Sequence, residues 1–192
     1  MATKRSSWWR RAALLLVGVA SVLPLAAQPV GDRELQVEAA FLVNFVRYAE
    51  WPRQQFTSAS DPYVIAVLGS DTVVDTVAAI ARAAGPIQGR RIEVKPLDLD
   101  RRGARGSLRD SHVVFLHASA KATPRELLRA VEGMPVLTVS DVPGFAAEGG
   151  MLGLVRRGRH MAFEANPDAI RDGGVSLSAK VLKLARIRGS RQ

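Results

Sequence analysis

The sequence predicts an α/β domain over residues 28–192, a single unit with a largely parallel sheet flanked by helices and an antiparallel hairpin in its C-terminal part. Three observations predict it. Short apolar runs (Tyr63–Leu68, His112–Leu116 and Val136–Val139) read as strands covered on both faces. Segments with helical spacing of apolar residues lie between them, so strands and helices alternate. Finally, Leu152–Arg157 and His160–Glu164 alternate around Gly158, as the two arms of a hairpin do.

The elements follow in order. Gln28–Arg33 reads as a flexible start. Glu34–Glu50 is an amphipathic helix, because Leu35, Ala39, Leu42, Val46 and Ala49 recur at steps of three and four, and Phe41 and Phe45 widen that face. Trp51-Pro52 stops it, since the residue before a proline is pushed out of helical geometry. After the Tyr63–Leu68 strand, Gly69 turns the chain and Ser70 or Asp71 caps a helix over Thr72–Ala84, which Gly85-Pro86 ends. Arg91–Lys95 is a second strand, and the Arg- and Gly-rich stretch Asp98–Asp110 a surface connection.

Beyond the His112–Leu116 strand, Thr123, Pro124 and Glu126 form a capping box with proline at the first helical position. Leu127, Leu128 and Val131 give that helix its buried face, and Gly133 closes it before the Val136–Val139 strand. The hairpin is followed by a short helix opened by Asn166-Pro167 and running to Arg171. A last helix is expected over Ser178–Ile187, with Val181, Leu182 and Ala185 inward.

Residues 1–27 do not belong to that fold. Lys4, Arg5, Arg10 and Arg11 precede the apolar stretch Ala12–Leu23, and small residues Ala26 and Ala27 follow Pro24, the layout of a secretory signal cleaved after Ala27. The apolar run of about 12 residues falls short of the ~20 that span a bilayer. Four of the 27 Lys and Arg and none of the 18 acids lie in that segment, so formal charge falls from +9 to +5 on its removal. An exported chain with that modest charge and no nucleic-acid motif points away from nucleic acid. With 0 cysteines it has neither disulfide switching nor thiol catalysis, and a domain of this size has core enough without staples.

The chemistry-bearing residues form no recognised catalytic set. His112 and His117 sit five apart, an offset that sends them to opposite faces of one strand, so they cannot share a metal through it. His160 lies near the hairpin tip. No HExxH spacing occurs, and the motifs give no metal or cofactor site. Ser140-Asp141 lies at a strand end without a G-x-S-x-G elbow, so both side chains are expected to satisfy backbone groups of the turn. Gly69-Ser70-Asp71, between strand and helix, offers amides to an anion or simply a turn. Arg156, Arg157 and Arg159 make a basic hairpin tip, either a solvated end that discourages edge pairing or a surface for an acidic partner.

That leaves the loop Ser140–Met151. Loops at the carboxyl ends of buried strands are where α/β domains place their binding surfaces. Phe145, between Pro-Gly and Ala-Ala, is either a plug tucked into the core or an exposed aromatic anchor. A shaped loop without catalytic partners points to recognition. The expected partner-binding residues are Asp141, Phe145, Glu148, Met151 and Arg156, with Phe145 as apolar anchor and Asp141, Glu148 and Arg156 setting orientation.

Across its length the chain resembles the YfiR-like family of periplasmic proteins. The residues that carry the resemblance are Glu38-Ala39-Ala40-Phe41-Leu42, Asn44-Phe45 and Trp51-Pro52, then Val67-Leu68-Gly69, Gly89-Arg90, His112–Phe115 and Pro135–Asp141. Phe145, Gly149-Gly150-Met151, Phe163–Asn166 and Ser178–Ala185 complete the series. The resemblance implies a non-enzymatic periplasmic repressor, a homodimer, that binds the periplasmic sensor region of an inner-membrane diguanylate cyclase and holds it inactive. It further implies an outer-membrane-associated releasing protein, whose action raises cyclic di-GMP and affects biofilm and motility. Some relatives carry cysteine pairs; this chain has none. The alternative from another class is a periplasmic small-ligand-binding sensor using the same crevice. A hydrolase is the poorest reading, since neither Ser140 nor Asp141 has a visible partner in the sequence.

Overall fold

The computed structural model describes residues 30–189, with side-chain surroundings from residue 33 onward. The expected signal segment 1–27 lies outside the described residues. Among them, no helix is long and apolar enough to cross a membrane.

The first helix, α1 (Val30–Tyr48), leads to a two-residue strand β1 (Ala49–Glu50). The parallel part of the sheet is then built by β2 (Tyr63–Leu68), α2 (Asp71–Ala84), β3 (Ile92–Pro96), α3 (Ala104–Arg109), β4 (Val113–Leu116), α4 (Pro124–Ala130) and β5 (Leu137–Ser140). The hairpin strands are β6 (Leu152–Arg157) and β7 (His160–Ala165). Then follow α5 (Pro167–Asp172), β8 (Ser176–Leu177), α6 (Ala179–Leu182) and β9 (Arg186–Ile187). The seven-stranded order is β3-β2-β4-β5-β6-β7-β9, and β1 pairs separately with β8. Strands β3 to β6 run parallel, while β7 is antiparallel to β6.

Continuous apolar strands are needed because both faces are covered. Ile65, Val67, Val113, Phe115, Leu137 and Val139 pack with Leu42, Phe45 and Val46 of α1 and Val73 and Val77 of α2. The alternate positions Ala66, Leu68, Val114 and Leu116 pack on the other side with Leu108, Leu127 and Phe145. Each large side chain fully buried this way contributes about 1.5–3 kcal/mol. The capping box forms as read: Thr123 N donates to Glu126 Oε2 at 2.7 Å, and Glu126 N donates to Thr123 Oγ1 at 3.3 Å.

Local periodicity gave the wrong extent at four places. Helix α1 begins at Val30, so the stretch read as flexible already propagates helix one turn ahead of the first apolar repeat. It ends at Tyr48 rather than Glu50, because Ala49 and Glu50 pair with Leu177 and Ser176. The connection 98–110 contains the short helix α3, which pins its one fully buried apolar side chain, Leu108 (1% exposed), under the sheet. The expected helix over Ser178–Ile187 stops at Leu182; Arg186–Ile187 instead join the free edge of β7 in parallel. There Arg188 donates to Glu164 (2.8 Å) and its backbone N–H to Ala165 O (2.8 Å), and this edge pairing overrides helix propensity.

Candidate functional site

Two strands end beside one another at the centre of the sheet, and each delivers a chemistry-bearing residue at its first position past the strand. Leu116 and Ser140 are register partners, so His117 and Asp141 emerge side by side. Helix α1 crosses above them and presents Glu38, a carboxylate on the face that otherwise buries Leu35, Ala39 and Leu42. His117 Nε2 lies 3.6 Å from Asp141 Oδ2 and 4.0 Å from Glu38 Oε2. The three ligand-type atoms all fall within 4.8 Å of one another.

The other sides of Asp141 and His117 are spoken for. Asp141 Oδ1 accepts Ala118 N–H at 2.7 Å. His117 Nδ1 is 2.8 Å from Ser119 Oγ and 3.0 Å from Ser119 N, and Ser70 N–H donates to the same hydroxyl at 3.0 Å. Glu38 Oε2 is buried with no hydrogen-bond partner among the described residues. Burial, then the charges of Asp141 and Glu34, push the Glu38 carboxyl up to about 8. Burial also raises the Asp141 carboxyl, opposed by His117 and by the Ala118 N–H. Glu34, one turn before Glu38, is held at 2.8 Å by Arg156 of the hairpin, which ties α1 to β6.

The loop after Asp141 is fastened at both ends by buried hydroxyls of β5. Ser140 Oγ donates to Leu116 O (2.7 Å) and accepts Val142 N–H (3.0 Å), while Thr138 Oγ1 accepts Met151 N–H (3.0 Å). Ser140 therefore satisfies backbone groups, as expected. Asn166 Nδ2 donates to Ala146 O at 3.0 Å and fixes the middle. Of the two roles open to Phe145, the structure has the plug: it is 1% exposed among Leu116, Leu127 and Val136, which corrects its choice as projecting anchor. An aromatic ring in a short loop over an apolar face gains more from burial than from standing in water. Met151 is likewise turned inward, 6% exposed, against the α5 end at Gly173. Glu148 is exposed, Asp141 belongs to the cluster, and Arg156 is drawn to Glu34.

A crevice of about 710 Å³ opens next to the cluster, at the carboxyl ends of β2, β3 and β4, where the strand order reverses. Ser70, Asp98, Ser119, Lys121, Glu126 and Arg129 line it. The Ser70 amide, one candidate anion donor, is taken by Ser119.

Asp141 is legible in the sequence as a candidate binding residue, whereas Glu38 enters only through the family resemblance and His117 only as a histidine unable to share a metal with His112. Two signals could have found them: the matching positions of His117 and Asp141 past adjacent apolar strands, and a glutamate on the core face of α1. Arg156 pairs within the chain with Glu34, which is distant in sequence. Among comparisons with known proteins, a family model described as YfiR/HmsC-like matches residues 35–186.

Proposed function

The chain belongs to the YfiR/HmsC-like family, and from that premise we propose that it is a periplasmic, non-enzymatic regulator that represses a membrane-bound diguanylate cyclase by binding its periplasmic sensor region. The family match carries this reading. The fastened loop Asp141–Met151 supports it, because a surface held rigid before binding loses less entropy on association. With Phe145 and Met151 inside, the groups offered to a partner are Glu148 at the loop and the exposed Arg157 and Arg159 at the hairpin tip. Such a repressor acts only by preferring the inactive state of its partner; carrying that partner from 1:99 to 99:1 takes roughly 10⁴-fold tighter binding to one state. A homodimer and an outer-membrane-associated releasing protein belong to the same proposal.

The test is equilibrium binding of the purified protein to the periplasmic region of a membrane-bound diguanylate cyclase from the same cell. Glu148→Lys and Arg157→Glu should each weaken binding by roughly tenfold, with unchanged thermal midpoints. Unaltered affinity in both variants would remove the loop and hairpin from the interface. Absence of wild-type binding to every such region would remove the repressor reading.

The crevice favours a second reading, a small-ligand sensor, since about 710 Å³ lies within the range of ligand sites. Saturable thermal stabilisation by a periplasmic metabolite, without any protein partner, would support it.

A further inference from the structure

We infer that Glu38, His117 and Asp141 form a binding site for a divalent transition-metal cation of the zinc class, joining α1 to the carboxyl ends of β4 and β5. Neither the family match nor the repressor reading calls for this site, and it stands or falls independently of both.

Four observations carry it. Glu38 is 5% exposed, and its Oε2 faces His117 Nε2 at 4.0 Å without accepting a hydrogen bond from any of the described residues. A buried carboxylate oxygen without a donor is costly, and a cation is the partner its surroundings have room for. Among the described residues, the charges that bear on Glu38 are those of Asp141 and Glu34, both negative, and Arg156 is engaged by Glu34. Third, the spacing suits a tetrahedral ion. Ligand atoms about 2.0–2.1 Å from zinc lie ~3.3–3.4 Å apart. The separations of 3.6 and 4.0 Å from His117 Nε2, with all three atoms within 4.8 Å, close to that by rotation of the two carboxylates. Fourth, the outer partners orient the ligands. Ala118 N–H holds Asp141 Oδ1 and leaves Oδ2 for the ion, and Ser119 Oγ stands ready to accept Nδ1–H of His117.

The ligand set selects the ion class. One imidazole and two carboxylates give three protein ligands, the number that leaves zinc an open position for water. His117 and Asp141 side chains are 21% and 15% exposed, which provides the entry path. Calcium takes 6–8 oxygens and magnesium keeps a nearly complete octahedron of oxygen, neither of which is assembled here. Loading has one requirement. In the ion-free tautomer Nδ1 accepts Ser119 N–H at 3.0 Å, so the proton sits on Nε2; binding moves it to Nδ1, where it is donated to Ser119 Oγ.

The experiment is calorimetric titration of untagged, chelator-treated protein with Zn²⁺, and with Mg²⁺ and Ca²⁺ as controls. One equivalent of Zn²⁺ should bind with micromolar affinity or better, while Mg²⁺ and Ca²⁺ should not saturate below about 1 mM. Glu38→Gln and His117→Asn should each weaken Zn²⁺ binding by roughly 100-fold or more, beyond the loss typical of an outer-shell partner. A long-range proton–nitrogen spectrum of the wild type is a second readout, and does not depend on the variants folding. It should show the His117 tautomer change on loading, with His112 and His160 unmoved. No saturable binding, binding retained by a folded Glu38→Gln variant, or shifts at His160 in place of His117 would each overturn the site.

Discussion

Strand β4 carries a histidine at each end, and the two ends are built on opposite terms. At its amino end, His112 is 3% exposed among aromatic rings: Phe56 stacks on it at 4.6 Å, and Trp51 and Tyr63 stand edge-on at 5.4 and 5.5 Å. Its Nδ1 accepts Val64 N–H at 3.1 Å, and Trp51 Nε1 donates to its carbonyl at 2.9 Å. Burial, then the charge of Arg90, lowers the His112 pKa to about 4, so the ring is neutral at pH 7. At the carboxyl end, His117 meets two carboxylates and has a water-facing side. The same residue type is packing material at one end and a poised polar group at the other. Neighbours contributed by other elements decide which.

Removing the aromatic support is the harshest way to break this contrast. Trp51→Ala empties a ring site that is 9% exposed and deletes the bond to His112 O. A loss of about 3–5 kcal/mol is expected from the cavity alone. Denaturant unfolding with an unchanged slope would measure it. A loss below about 1 kcal/mol would mean that the lower end collapses freely and is not the rigid half of the molecule.

Acid sharpens the contrast next. His112 has its folded pKa depressed from 6.5 to about 4, so the unfolded chain binds the proton more readily. Its contribution is complete above about pH 6.5 and is lost as pH falls through 4, amounting to up to about 3 kcal/mol. Arg90 adds to the depression and Asp61 opposes it. The ring resonances of His112 should titrate with a midpoint near 4 in the folded protein. A midpoint above 6 would show that Phe56 leaves the ring open to water.

How much of this was legible follows from what reports locally. The strands of the parallel core were legible as continuous apolar runs, and the capping box at Thr123 and Glu126 is wholly local. Strand β9 was not legible, because Arg186–Ile187 becomes a strand only by meeting the edge of β7. Phe145 left two outcomes open, since nothing beside it in the chain shows the apolar face beneath it. Gly150 then settles the plug: a Cβ there would run into the Phe145 ring. The polar cluster was hardest, because its three members come from α1 and from two loops, 79 and 24 residues apart in sequence. Its only traces were the matched positions of His117 and Asp141 past adjacent strands and a glutamate on the core face of α1.

The finest test separates the two ends by the sign of their pH dependence. Glu38 has its folded pKa raised from 4.5 to about 8, so here the folded state is the better proton binder. That contribution is complete below about pH 4.5 and is lost as pH rises through 8, the reverse of His112. The groups facing it are Asp141, Glu34 and His117. Glu38→Gln keeps the shape and cannot ionise. At pH 9 without metal the variant should therefore exceed the wild type by about 1–3 kcal/mol, and at pH 4 the two should match. Zinc should shift the difference back toward the wild type, because an ion at 100 times its Kd stabilises the wild type by about 2.7 kcal/mol and the variant hardly at all. If Glu38→Gln is the less stable protein at pH 9 without metal, the carboxylate has a partner in solution and the upper end is not short of positive charge.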